Sequence, residues 1–328
     1  MKYEILAFGF VILSCLSSVI YKKIQIDPIP MSFYSSIVGF ITFSIIIYYK
    51  FKKNPEIFKK KKNPYGLTDN PFKNIYNNSL SWKIGLSGVI MNLAALFALK
   101  KLPYSFVLPI NMTWLFFALF FNKIMRKKDI TMEKIISISI VIIGVFVIQF
   151  HHIKNFNSLN IENYKYFIFL LIILLISKMM KAYQVNVIKE VEDYVTYNDA
   201  ILMDWGTLIV FNTIIYLIYL YSPIKKWTIS LPQKKEILKL AITNIILLSS
   251  YVLLKFKALQ NLTVTTFSLI SSTNVIFAII FGYFFFQEKL TINQFIGAII
   301  IIFGISYKNI IKKLHNKHLH DSSAYDSH

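Results

Sequence analysis

One cysteine, Cys15, stands in a chain of 328 residues. A lone thiol forms no internal disulfide, and this one lies inside an apolar run, where it reads as a small hydrophobe. Charge is also thin: 16% of residues are Asp, Glu, Lys or Arg, against about 25% in soluble domains. Acidic residues are the scarcer sign, 16 against 36 basic ones. A membrane enzyme working on lipids needs His, Asp or Glu clustered at one interface for acid–base chemistry. No such cluster is visible, and no candidate span contains a histidine. There is no Gly-x-x-x-x-Gly-Lys-Ser/Thr run, so hydrolysis of ATP at a P-loop is not expected. The segments of about ten alternating residues that build a membrane β-barrel are missing as well.

Long apolar runs fill the chain instead. Hydrophobic residues make up 55% of it, with a mean hydropathy of +0.54. A run of about 20 such residues matches the hydrocarbon core of a bilayer. Ten candidate spans lie near 3–21, 29–49, 82–100, 103–123, 132–150, 164–184, 198–221, 237–256, 262–284 and 290–308. Helices satisfy their own backbone groups in lipid, so the chain reads as an all-α integral membrane protein with ten transmembrane helices. The first run is long enough to span and shows no cleavage-site pattern, so it counts as a span rather than a signal peptide. The net charge of +20 then reports loop orientation rather than a nucleic-acid partner. The basic loop 50–80, the turn after Phe121 with Arg126, Lys127 and Lys128, and the tail with Lys312, Lys313 and Lys317 fall on one side. The positive-inside rule places that side, with both termini, in the cytoplasm. The loop holding Lys225, Lys226, Lys234 and Lys235 falls on the other side and opposes this assignment.

Residues 98–144, ALKKLPYSFVLPINMTWLFFALFFNKIMRKKDITMEKIISISIVIIG, align without a gap on 258–304, ALQNLTVTTFSLISSTNVIFAIIFGYFFFQEKLTINQFIGAIIIIFG. Ala98 meets Ala258, Thr113 meets Thr273, Thr131 meets Thr291 and Gly144 meets Gly304. The offset covers five helices, an odd number, so the second copy is inverted; inverted repeats are a common architecture of secondary transporters. The expected units are 1–150 and 164–308, each a five-helix repeat, followed by a disordered cytoplasmic tail over 309–328. Arg126, Lys127 and Lys128 of the first copy face Phe286, Gln287 and Glu288 in the second, as the inversion requires of a positive-inside chain. FFQEKLTINQFIGAIIIIFG, 285–304, therefore reads as a hairpin. Thr291 is its N-cap, with Gln294 completing a capping box. Gly297 and Gly304 open the last helix to a close neighbour.

Glu288-x-x-Thr291-x-x-Gln294-x-x-Gly297 with Gly304 downstream resembles the hairpin of the drug/metabolite transporter superfamily, in its EamA-like branch. ALKKLP and ALQNLT resemble that family's entries into its fourth and ninth helices, and LLKFKALQNL is similar to the related nucleotide-sugar transporters. Lys128 departs from the pattern, standing where the family has an acidic residue. The resemblance implies a central cavity between the two repeats, alternating access, no cofactor, and a small-molecule substrate. It offers amino acids, nucleotide sugars, phosphorylated metabolites or drugs.

Polar residues at membrane depth are costly and tend to face a cavity or a partner. Asn111 and Trp114 share a helix face, and Ser271 and Asn274 are their repeat counterparts. With Asn92 and Tyr34 they are the uncharged candidates for substrate contact; helix–helix hydrogen bonding is their competing role. Lys178, Lys181 and Lys255 fall toward the cytoplasmic ends of their spans and suggest a cationic vestibule for an anionic or zwitterionic solute. Snorkelling to the interface is the competing role for the lysines. Asp204, two turns into its helix, is the candidate for pairing with a lysine or coupling to a proton. Glu4 lies too near the chain start for such a role. His151, His152 and the tail histidines lack the carboxylate or cysteine company of a metal site. The expected partners are a small solute and the lipid bilayer, with the protein a monomer or homodimer in a cell or organelle membrane. A non-transporting receptor and a lipid enzyme are the alternatives from other classes.

Overall fold

A computed structural model describes residues 2–59, 65–76, 79–110, 113–126, 131–154, 164–221 and 232–307. These residues hold helices and connecting turns, with no strand among them. Asn111, Lys127, Lys128, Lys225, Lys226 and the tail 309–328 lie outside the described residues.

Helix α1 spans Lys2–Lys23 and α2 spans Pro28–Lys53. Pro28 sits in the first turn of α2, where a missing N–H costs nothing, and Pro55 follows its end. Helix α3 covers Ser79–Lys101. The span expected over 103–123 is divided: α4 runs Tyr104–Ile110 and α5 Trp114–Arg126. Helix α6 is Met132–Lys154. Helix α7, Tyr164–Glu190, runs six residues past the end its sequence suggests. The added residues mix Val185, Val187 and Ile188 with Asn186, Lys189 and Glu190, and all but Glu190 are buried: Asn186 donates to the carbonyls of Ala118, at 3.1 Å, and Ala182, at 2.9 Å. Helix α8, Tyr197–Tyr221, opens on a reciprocal cap between Thr196 and Asp199. Helices α9 (Lys234–Thr243) and α10 (Ser249–Asn261) form one rod through a π-helical turn at Asn244–Leu248. Helices α11 (Val264–Ser272) and α12 (Asn274–Phe286) form another, joined at Thr273. The last helix, α13, is Ile292–Tyr307.

The hairpin before α13 has the expected chemistry. Gln287 takes a left-handed backbone, φ 53°, and closes α12 with bonds from Gln287 N to Tyr283 O and Glu288 N to Gly282 O. Thr291 N reaches Gln294 Oε1 at 3.0 Å, and Gln294 N reaches Thr291 Oγ1 at 3.3 Å. Glu288 accepts from Tyr104 N at 2.7 Å, so its carboxylate caps the first turn of α4. Gly297 packs on Gly144 of α6: a Cβ on Gly144 would stand 2.8 Å from the Gly297 carbonyl. Only paired glycines let these two backbones meet.

Helix α1 lies against α10, α2 and α3 against α8, α3 and α5 against α7, and α4 against α12. The loop expected as a polar segment over 50–80 is partly built into this bundle. Asn74 donates to Asp199 at 3.3 Å, Ser81 donates to the Asn74 carbonyl at 2.8 Å, and Tyr76 OH reaches the Gly206 carbonyl at 3.1 Å. Outward faces are greasy: Ile45, Phe146, Ile218, Phe284 and Phe295 are all well exposed. A soluble protein does not display such a belt. Among the described residues seven helices are long and apolar enough to cross a membrane, and the protein is a multi-pass integral membrane protein.

Candidate functional site

The helices that meet at the centre carry charge inward. Lys178 and Lys181 lie one turn apart on α7, and Lys178 is buried. Because α7 continues to Glu190, both lysines stand near the middle of that helix rather than toward its end. Lys255, on α10, is buried too, whereas Lys257 two residues on is exposed. Lys181 feels the charge of both Lys178 and Lys255. Its ammonium lies over the Trp114 ring, 4.4 Å from the centroid. The indole is fully buried, and its Nε1–H has no hydrogen-bond partner among the described residues. An aromatic face is a weak counter-charge for an ammonium, worth up to about 2 kcal/mol when water is excluded.

The carboxylate facing this basic group is Asp204, two turns into α8 and buried. It meets Lys255 through an amide. Gln184 Nε2 donates to Asp204 Oδ1 at 2.9 Å and to the Ile84 carbonyl of α3 at 3.0 Å. Lys255 Nζ reaches Gln184 Oε1 at 3.4 Å. Gly88 makes the room, since a Cβ there would lie 2.6 Å from Asp204 Oδ1 and 3.1 Å from Gln184 Nε2.

One turn from Lys255 on α10, Tyr251 borders a cavity of about 50 Å³, room for a few water-sized groups. Tyr21, Ser32, Ser35, Asn92 and Trp205 line it as well. Beside it Tyr21 donates to Asn244, the first residue of the π-helical turn. Such turns recur at functional sites because they free backbone groups.

Of the residues singled out by sequence, Trp114, Lys178, Lys181, Lys255 and Asp204 come together around α7, and Asn92 lines the neighbouring cavity. Ser271 is buried on α11, its hydroxyl without a partner among the described residues. Asn274 accepts the thiol proton of Cys15, so that cysteine also has a polar contact. Tyr34 stands apart, 5.3 Å from Phe33 and 6.0 Å from Tyr216 between ring centroids. Asn111 lies outside the described residues. Gln184 and Gly88 escape the sequence reading, although Lys178, Lys181 and Gln184 repeat at the three-residue spacing of one helix face.

The opposite end of α1 and α3 also carries lysines, and these close helix ends. Lys22 donates to the carbonyls of Leu99, at 3.0 Å, and Leu102; Lys100 donates to those of Lys22, at 3.4 Å, and Ile24. Each helix supplies the cation that satisfies the last carbonyls of the other. Glu236 holds Gln25 N at 3.0 Å and Lys239 at 2.6 Å on the same face.

One solved structure, described only as the crystal structure of a protein, overlays 95% of this chain and 97% of its own, with a TM-score of 0.66 at 10% identity. That likeness speaks for the fold alone. No curated protein sequence matches the chain significantly. The sequence profile of the EamA-like transporter family matches residues 1–150 and 194–308. That match takes in most of the chain, including α8 with Asp204 and α10 with Lys255, and the chain belongs to the EamA-like transporter family, membrane transporters of the drug/metabolite transporter superfamily.

Proposed function

We propose that the protein is a ten-span secondary transporter that moves a small anionic or zwitterionic metabolite by alternating access. Its units are the repeats 1–150 and 164–308, inverted relative to each other, with both termini in the cytoplasm. Helix boundaries support the repeat. Trp114 and Asn274 begin α5 and α12, Arg126 and Phe286 end them, and Met132 and Ile292 begin α6 and α13. Each pair is separated by the same number of residues. Lys22 and Lys100, at the outer ends of α1 and α3, fit this orientation, because they are occupied in capping carbonyls.

The observation that carries the proposal is the inward-facing group of buried Lys178, half-buried Lys181 and buried Lys255, with the carboxylate of Asp204 near it. Ionisable side chains inside a membrane are expensive and mark substrate or ion pathways. A basic group of this size accepts a carboxylate or phosphate; the lysines act as point charges. Trp114, Ser271 and Asn274 would hold the uncharged part of the solute, together with the sequence candidate Asn111, which lies outside the described residues. Asp204 is the candidate for coupling. The same lysines favour an exchanger of phosphorylated metabolites as the second reading.

Uptake into liposomes containing the purified protein tests this. Labelled inorganic phosphate, succinate, alanine and a lipophilic cation are the probes. Saturable uptake of an anion or of alanine, lost in Lys178→Ala and Lys255→Ala, is expected. Uptake of the lipophilic cation alone would overturn the proposal and leave drug export.

A further inference from the structure

We infer that Gln184 is a specificity-determining spacer: it keeps Asp204 from closing on Lys255, leaving Lys255 to a substrate anion and withholding Asp204 from a substrate cation. The inference rests on the transport function proposed above and narrows its substrate from anionic or zwitterionic to anionic.

A primary amide has two N–H donors and one acceptor oxygen. Both donors of Gln184 are spent, on Asp204 Oδ1 at 2.9 Å and on the Ile84 carbonyl at 3.0 Å. Those partners accept only, so the amide cannot turn over without setting oxygen against oxygen. Its own oxygen is thereby directed at Lys255 Nζ, 3.4 Å away, a long contact that takes one of three ammonium protons. Lys255 and Asp204 feel each other's charge, yet no ion pair joins them among the described residues. A direct ion pair would need the space between carboxylate and ammonium that a bridging amide fills. Gln184 stands there, and Gly88 keeps it in place, since any larger residue would press on both Asp204 Oδ1 and Gln184 Nε2.

The consequence is a division of charge. Asp204 faces α3 and α7 with its Oδ1 already bonded, so it is poorly placed for a substrate ammonium. Lys255 keeps donors to spare and adds its charge to those of Lys178 and Lys181. An α-amino acid would need both signs presented to it; this centre presents one.

Thermal stabilisation of the purified full chain by inorganic phosphate, succinate and alanine reads apparent affinity directly. Wild type is expected to bind phosphate or succinate and not alanine. In Gln184→Leu, Lys255 pairs with Asp204 and anion affinity falls about tenfold or more. Asp204→Asn leaves anion affinity within about threefold of wild type, because Gln184 already holds the carboxylate off Lys255. The double variant Gln184→Leu/Asp204→Asn recovers the affinity lost in Gln184→Leu, a coupling that only interacting sites show. If Gln184→Leu does not fold, Gln184→Met is read the same way, and Asp204→Asn stands alone. Unchanged anion affinity in Gln184→Leu, no recovery in the double variant, or a gain of about tenfold or more in Asp204→Asn would each overturn the spacer role while leaving anion transport intact. Binding of alanine but no anion by wild type would overturn the anionic assignment; binding of no probe but a lipophilic cation would take the proposed function down with it.

Discussion

Replacing Lys181 by Met should leave the empty protein at least as stable while removing much of its grip on an anion. Among the described residues the side chain's compensating contact is the Trp114 face at 4.4 Å, worth about 2 kcal/mol at most. Against it stands a cost of about 2.5–3.5 kcal/mol for a lysine at the centre of a membrane helix. The charges of Lys178 and Lys255 raise that cost further. Methionine fills nearly the same volume without the charge and keeps contact with the indole. Thermal unfolding in detergent without ligand should therefore give a midpoint equal to or above that of wild type. Binding should move the other way. A hydrogen bond to a charged partner contributes about 1.5–3 kcal/mol, so phosphate or succinate affinity should drop about 10- to 150-fold at tenfold per 1.4 kcal/mol. A site kept for function at the expense of stability behaves in this way. A destabilised Lys181→Met with unchanged anion affinity would refute the reasoning and make Lys181 a packing element over Trp114.

Other expectations test the frame around the site. Glu288→Ala should lower thermal stability by about 1 kcal/mol, the usual worth of a helix N-terminal cap, while Glu288→Gln, which still offers an acceptor to Tyr104 N, should lose less; neither should change the KM for an anion. Gly297→Val pushes a side chain into Ile148 and the Gly144 carbonyl, and should cost about 1–3 kcal/mol by overpacking, seen as a lower unfolding midpoint. Gly88→Ala should disturb the Asp204–Gln184 contact and weaken anion binding more than it lowers the unfolding midpoint, a split that separates it from Gly297→Val. In Cys15→Ser protein, a cysteine at the exposed Lys101 should react with an impermeant maleimide added to intact cells, and one at the exposed Glu56 only after lysis; the reverse pattern would invert the proposed topology.

The membrane class was legible in the length of the apolar runs alone, because bilayer thickness imposes that length. The hairpin 285–304 was equally legible. Capping boxes and paired glycines are local devices, and the structure shows Thr291, Gln294 and Gly297 in those roles. Glu288 was legible only as a turn residue, since its partner, Tyr104 N, lies far back in the chain. The end of α7 was misplaced for a physical reason: interspersed polar residues signal a helix end only where water is the alternative. Asn186 instead finds the Ala118 carbonyl on a neighbouring helix and the Ala182 carbonyl on its own.

Composition and repeat determined that this chain crosses a membrane, carries its excess basic charge in particular loops, and keeps a few lysines inside its spans. Those are one-dimensional properties, set by how many apolar residues follow one another. Only the tertiary structure decided which lysines meet. Lys255 and Lys257 are two residues apart, yet one is buried beside Asp204 and the other faces outward. That difference arises from the rotation of α10 against α1 and α8, which no local pattern records. Gln184 shows the same limit, since its two donors reach two other helices at once. Its place between a carboxylate and an ammonium exists only where α3, α7, α8 and α10 pack together.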